Sequence, residues 1–418
     1  MHSHIFINLC IFARMFFNHI TTHRVRNIIL IFFLIVLHSH TMRATVTAPT
    51  DSTRFSLLTC APGSEIYSLF GHTAIRYEDP GKGIDVVFNY GVFSFNAPNF
   101  IYRFVKGETD YILDVVDFSR FKAEYMYHNR AVWQQNLTLS SEEKETLLNL
   151  LYINCQPANR VYRYNFFYDN CATRPRDKIE ESISGKIVYQ PVDYRQTFRD
   201  IIYQSSKGYE WDRFGMDLCL GVEADRPITY REEMFAPLYL MDAFKQSVIV
   251  DENNVKRPLV GSVAEVVSEQ DIEKDKPFPL TPIRSTLLLF ILIVTATIYG
   301  IRKKKSLWGI DLVLFALAGL AGCVIAFLSC FSEHPAVGTN YLIFVFHPLH
   351  ILLLPLFLHK EAKGKKSYYH LINTVVLTLF ILIWPINPQH FNLAVLPLAL
   401  CLLVRSVSNL VLTYKKDK

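Results

Sequence analysis

Cys171 stands in the stretch Tyr168-Asp169-Asn170-Cys171-Ala172-Thr173-Arg174. Asn170 is a favoured helix N-cap, so the thiol is expected at the start of a helix. Backbone N–H groups and nearby arginines there favour a thiolate. A thiolate nucleophile needs a base and a group that orients the base. His72, in Phe70-Gly71-His72-Thr73-Ala74-Ile75-Arg76, opens a strand directly after a glycine and supplies an imidazole. A purely structural histidine is the competing reading. Asn89, on the following strand, is the first choice to hold the ring, with Glu78 and Asp85 as rivals. The order His, polar, Cys is acceptable because such sites are recognised by geometry. Of the eight cysteines, Cys60, Cys155, Cys171 and Cys219 lie between the leader and the tail, and two disulfides among them are the alternative to a nucleophile. Cys60 closes an apolar strand and reads as a packed core thiol. No cysteine or histidine pair has zinc spacing, and neither a metal nor another cofactor is expected.

These side chains need a scaffold. Phe55–Thr59, Thr73–Tyr77 and Val86–Tyr90 read as strands, separated by the turn residues Pro62-Gly63 and Asp79-Pro80-Gly81. Ser140 with Glu143 is a capping box opening a helix that carries Leu147, Leu148, Leu150 and Leu151. A second helix starts at Asn170-Cys171, and Pro175 makes its first turn irregular. Residues 45–261 therefore form an α+β domain, and residues 262–284, with five acidic residues between Ser262 and Leu280, form a polar tether.

The remainder belongs to a membrane. Only 19% of the 418 residues are charged and 50% are hydrophobic, which excludes disorder, coiled coil and collagen. From Thr281 to Lys418 there are 13 Lys/Arg and 4 Asp/Glu, a balance of +9, so the net +5 leaves −4 for residues 1–280. Nucleic-acid binding loses its electrostatic support. In residues 285–418 the runs Ser285–Ile301, Leu307–Phe331, Tyr341–Leu358, Ser367–Trp384 and Phe391–Leu412 are each near the ~20 residues that span a bilayer. Basic gaps (302–305, 360–366, 415–418) alternate with gaps that lack Lys and Arg (331–340, 385–390). By the positive-inside rule this predicts five transmembrane helices, the preceding domain outside and the C-terminus in the cytoplasm. Arg405 is expected to snorkel to the cytoplasmic end. Asn27–Leu37, preceded by Arg24 and Arg26, suits a signal-peptide core within residues 1–44, with an uncleaved anchor as the alternative.

Leu57-Leu58-Thr59-Cys60-Ala61-Pro62-Gly63, Phe70-Gly71-His72-Thr73-Ala74, Asn89-Tyr90-Gly91, Arg160-Val161-Tyr162-Arg163-Tyr164-Asn165 and Asp169-Asn170-Cys171-Ala172-Thr173-Arg174 together resemble the Lnb family, the lipoprotein N-acyltransferases of Bacteroides-type bacteria. In the tail, Phe331-Ser332-Glu333-His334-Pro335 followed by Asn340 is similar to that family's extracytoplasmic loop. The resemblance implies a permuted papain-like (NlpC/P60-like) exported domain followed by an all-α membrane domain of five transmembrane helices. It implies an inner-membrane protein with its catalytic domain in the periplasm. The implied reaction moves an acyl chain from a membrane phospholipid to the α-amino group of a diacyl lipoprotein, through a Cys171 thioester. Cys171 would be the nucleophile, His72 its base and Asn89 the third member. Tyr164, Asn165, Asn170 and Arg174 would line or support the site, and Glu333, His334 and Asn340 would stand at its membrane mouth. The aromatic-rich stretch Phe88–Phe104 is read as an acyl path or as core packing. Two other readings use the same residues differently: a membrane-anchored cell-wall peptidase or amidase, and a non-catalytic scaffold or sensor with disulfide-bonded cysteines.

Overall fold

Arg54–Cys60 is apolar on both sides, and such a run becomes a strand only when both faces are covered. In the computed structural model, which describes residues 52–96, 98–190, 195–270 and 278–414, this strand (β1) is central in a seven-stranded sheet. The other strands are His72–Asp79 (β2), Ile84–Val92 (β3), Asp110–Asp117 (β4), Val132–Leu137 (β5), Val161–Arg163 (β6) and Val260–Val267. The last pairs with β5, and the order across the sheet is Val260–Val267, β5, β1, β2, β3, β4, β6, all neighbours antiparallel. Side chains two apart in β1 share a face. Phe55 and Leu57 enter the core with Leu147 and Leu151, whereas Leu58 and Cys60 meet Phe121 and Tyr125 of the helix Phe118–Tyr127. The leader expected within residues 1–44 lies outside the described residues.

The helix Ser141–Cys155 begins with both arms of its capping box: Glu143 N–H donates to Ser140 Oγ, and Ser140 N–H to Glu143 Oε2. The polar stretch 262–284 differs from a tether at both ends. Its first residues, through Val267, continue an edge strand, because β5 would otherwise leave a row of backbone groups unpaired. At its other end, a helix has already begun at Pro282, a residue suited to the first turn.

Four helices have the length and composition of membrane spans: Pro282–Arg302, Trp308–Phe331, Tyr368–Ile386 and Val395–Thr413. The third expected run, Tyr341–Leu358, is not one helix. Tyr341–Leu352 and Leu354–Ala362 meet at a 72° bend. Pro348 and Pro355, which lack an N–H, sit at the starts of the two short helices at this break. Arg405 is also corrected. Its guanidinium is buried, donating at 2.6 Å to each carboxylate oxygen of Asp311 and at 3.1 Å to Thr297 Oγ1. A paired guanidinium has no need to reach water, which removes the reason to snorkel.

Thr53–Lys418 is one unit, in which the α/β domain is fastened to loops between spans. Gly221 N–H donates to Ala336 O, Val222 N–H to Thr339 O and Gln389 Nε2 to Leu220 O, at 2.7–2.9 Å. Arg199 holds Asp217 at 2.6 Å and Asp225 at 2.8 Å, all three buried. The same carboxylates bond to Asn392 and His390 of the last interhelical segment, both at 2.9 Å.

Candidate active site

The β2–β3 ladder runs from Asp79↔Ile84 to Ile75↔Phe88 and then opens. Into this opening comes Cys171. Its thiol lies within reach of the Thr73 and Cys171 backbone N–H groups, which favour its ionised form. Gly91 makes the approach possible. It has φ +93°, and a side chain there would place Cβ 3.3 Å from the Cys171 Cβ. Asn170 fixes the turn that carries the thiol: its Oδ1 accepts from Ala172 N–H at 2.8 Å and Thr173 N–H at 2.9 Å, and its Nδ2 donates to Phe235 O. The regular helix begins only at Thr173, as Pro175 requires.

His72, next to Thr73, lies beside the thiol's donor, and its Nε2 is 2.6 Å from Asn89 Oδ1. The rivals for this role are occupied elsewhere, since Arg76 holds both Glu78 and Asp85. His72 and Asn89 are thus paired where two strands part, and Cys171 lies against Thr73, the residue that follows His72. Burial dominates their protonation. It lowers the His72 imidazole to about 4, against the raising effect of Asn89. It also pushes the Cys171 thiol up to about 11, and the two backbone donors only partly offset it. The expectation of a resting thiolate favoured by arginines is therefore corrected. Arg174 is committed to Asp169 in a bidentate pair and lies 3.6 Å above the Tyr162 ring.

The other expected site residues divide. Tyr164 stacks on Tyr111 at 4.1 Å, and the Cys171 thiol acts on the ionisation of both phenols, which places both rings beside it. Asn165 shapes the loop before the thiol, accepting from Phe167 and Tyr168 N–H. Glu333 lies 3.6 Å from Arg163, and His334 Nε2 bonds to Phe104 O. Asn340 is buried in the domain junction, donating to Leu218 O and accepting from Leu342 N–H and Gln389. These three fasten the domains together, and none of their hydrogen bonds reaches the thiol.

Cys60, Cys155, Cys171 and Cys219 are all free, so the disulfide reading fails for the described residues. One neighbour was not singled out from sequence. Tyr162 is buried, its hydroxyl lies beside the Gly91 position that Cys171 also touches, and it has no hydrogen-bond partner among the described residues. An unpaired buried hydroxyl is costly, and only the fold reveals it.

Residues 40–200 match the Lnb N-terminal periplasmic domain and residues 272–417 match the Lnb transmembrane domain. No curated protein and no solved structure matches the chain. A periplasmic α/β domain built around a seven-stranded sheet, with a second sheet of three short strands, and joined to a membrane domain of four to five apolar helices accords with both matches. The chain belongs to the Lnb family.

Proposed function

We propose that this protein is a lipoprotein N-acyltransferase, using Cys171 to take an acyl chain from a membrane phospholipid and pass it to the α-amino group of a diacyl lipoprotein. The observation that carries this reading is a free thiol against the Thr73 backbone, next in sequence to the His72–Asn89 pair, in a domain fastened to a multi-span membrane domain. Both substrates are bilayer-bound, and an enzyme held at the membrane meets them by lateral diffusion. This reading makes the exported domain a permuted papain-like thiol enzyme, and the histidine strand preceding the cysteine in the chain supports it.

In the first half-reaction, His72 Nδ1 takes the thiol proton as Sγ attacks the ester carbonyl carbon. The Cys171 N–H and the Tyr162 hydroxyl are the donors available to the oxyanion. The C–O bond then breaks, and the lysophospholipid alkoxide takes the proton from His72, leaving a thioester. In the second half-reaction, the lipoprotein amine attacks the thioester, His72 accepts its proton, and the C–S bond breaks. The returning thiolate is reprotonated by His72. Because both resting groups are neutral, proton transfer accompanies attack.

This reading places the protein in the inner membrane with its C-terminus in the cytoplasm, in keeping with the basic segments 302–305, 360–366 and 415–418. Mass spectrometry of lipoprotein N-termini, with wild-type protein and with Cys171→Ser, tests it. The third acyl chain should be absent in the variant; an unchanged acyl count would overturn the proposal.

A further inference from the structure

A series of aromatic rings runs from the thiol toward the membrane. Tyr164 stacks on Tyr111, Tyr111 meets Phe93 at 4.9 Å, Phe93 lies 5.8 Å from Phe100, and Phe100 lies 5.9 Å from Phe104. Phe95 meets both Phe93 (4.9 Å) and Phe100 (5.1 Å). Phe100 and Phe104 belong to the short helix Phe100–Lys106, where a spacing of four sets them on one face. Core packing would bury these side chains, but Phe95 is 62% exposed, Ile101 78% and Tyr102 56%. Neighbouring apolar groups left in contact with solvent mark a surface that something else covers.

The position of this helix says what covers it. Immediately after the span Trp308–Phe331, Ser332 Oγ donates to Val105 O and Glu333 N–H donates to Lys106 O, both at 2.8 Å. Gly107 lets the chains come this close: with φ +80°, a Cβ there would be 2.9 Å from the His334 nitrogen. The Tyr102 ring also meets Phe327, one turn from the end of that span. The helix Phe100–Lys106 is therefore level with the end of a membrane span, the depth at which aromatic side chains are favoured. Its two basic residues are held by acidic partners, Arg103 by Asp110 and Lys106 by Glu108.

We propose that this helix is seated in the outer-leaflet interface, and that the rings from Phe104 through Phe100, Phe93 and Tyr111 to Tyr164 form an acyl-chain track leading one chain of a membrane phospholipid to Cys171. The track rests on the acyl-transfer reading and names the route by which its donor reaches the thiol. It also assigns Phe88–Phe104 a lipid-binding part beyond core packing.

The test uses full-length Cys171→Ser protein in vesicles of phosphatidylethanolamine and phosphatidylglycerol carrying a diazirine in mid-chain, with irradiation and peptide mapping. The expected result is label within residues 93–104 as well as on the spans. The double variant Phe95→Asp/Ile101→Asp, at two exposed positions, should lower label in that segment at least about tenfold while the spans label as before. Label confined to the spans overturns the track. In parallel, wild-type protein in the same vesicles is assayed for a hydroxylamine-sensitive thioester on Cys171. An acylated Cys171 with an unlabelled segment overturns the track alone. A labelled segment without acylation of Cys171 overturns the acyl-transfer reading and the delivery role with it.

Discussion

The imidazole of His72 and the side-chain oxygen of Asn89 are 2.6 Å apart, and this bond selects the working ring nitrogen. An amide oxygen only accepts, so Nε2 carries the hydrogen and donates it. Nδ1 is left as the acceptor that can take the thiol proton. In the proposed mechanism Asn89 acts through the ring, and His72 on the thiol.

Replacing the base should cost more than replacing its holder. His72→Ala should slow formation of the Cys171 thioester by about 10²–10⁴-fold. Asn89→Ala should slow it by about 10–100-fold, because the ring can then adopt the other tautomer. Single-turnover acylation of Cys171, read by intact-protein mass spectrometry, gives both rates. Equal rates in all three proteins would remove His72 from the chemistry.

The pH dependence of the thiol should show its burial. With the thiol at about 11, alkylation of Cys171 by iodoacetamide should climb about tenfold per pH unit through pH 9 and level only near 11. The sign of the stability effect follows: the folded thiol holds its proton more tightly than the unfolded one. Its contribution is present below pH 9 and is lost between 9 and 11. His72, lowered to about 4, works on the acid side. The unfolded chain takes up that proton first, so stability falls as pH drops from 6.5 toward 4. Peptide-resolved alkylation and melting curves across pH check both; an alkylation plateau below pH 8 would indicate a preformed thiolate.

Tyr162→Phe separates catalysis from stability. The hydroxyl has no partner among the described residues, so its removal should leave the melting temperature unchanged or slightly raised. If it serves the oxyanion, thioester formation should fall by about 10²-fold. A rate within twofold of wild type would leave the oxyanion to backbone donors alone.

Arg199→Ala tests the fastening between domains. It leaves the buried carboxylates of Asp217 and Asp225 without their guanidinium, a loss of about 3–5 kcal/mol. Denaturant titration in detergent micelles should show this loss. A matching substitution at Arg284, whose guanidinium donates to Pro279 O on the exposed side, should cost less than about 1 kcal/mol. Equal losses would mean that the Arg199 cluster is not what holds the junction.

The amino-acid sequence by itself determined the parts whose signals are local. Short apolar runs bounded by turn residues marked β1, β2 and β3, the Ser140–Glu143 spacing marked a capped helix, and run length with alternating basic gaps marked the membrane tail. Cys171 and His72 stood out as candidates, each by its immediate neighbours. The tertiary structure decided whatever depends on distant partners. It set the Asn89 side chain against His72, while Arg76 holds the carboxylates of Glu78 and Asp85. It kept Cys171 neutral, because burial outweighs two backbone donors. It paired Arg405 with Asp311 and bent the third span at its prolines. Dielectric environment and long-range pairing belong to the packed chain, and no window of neighbouring residues contains them.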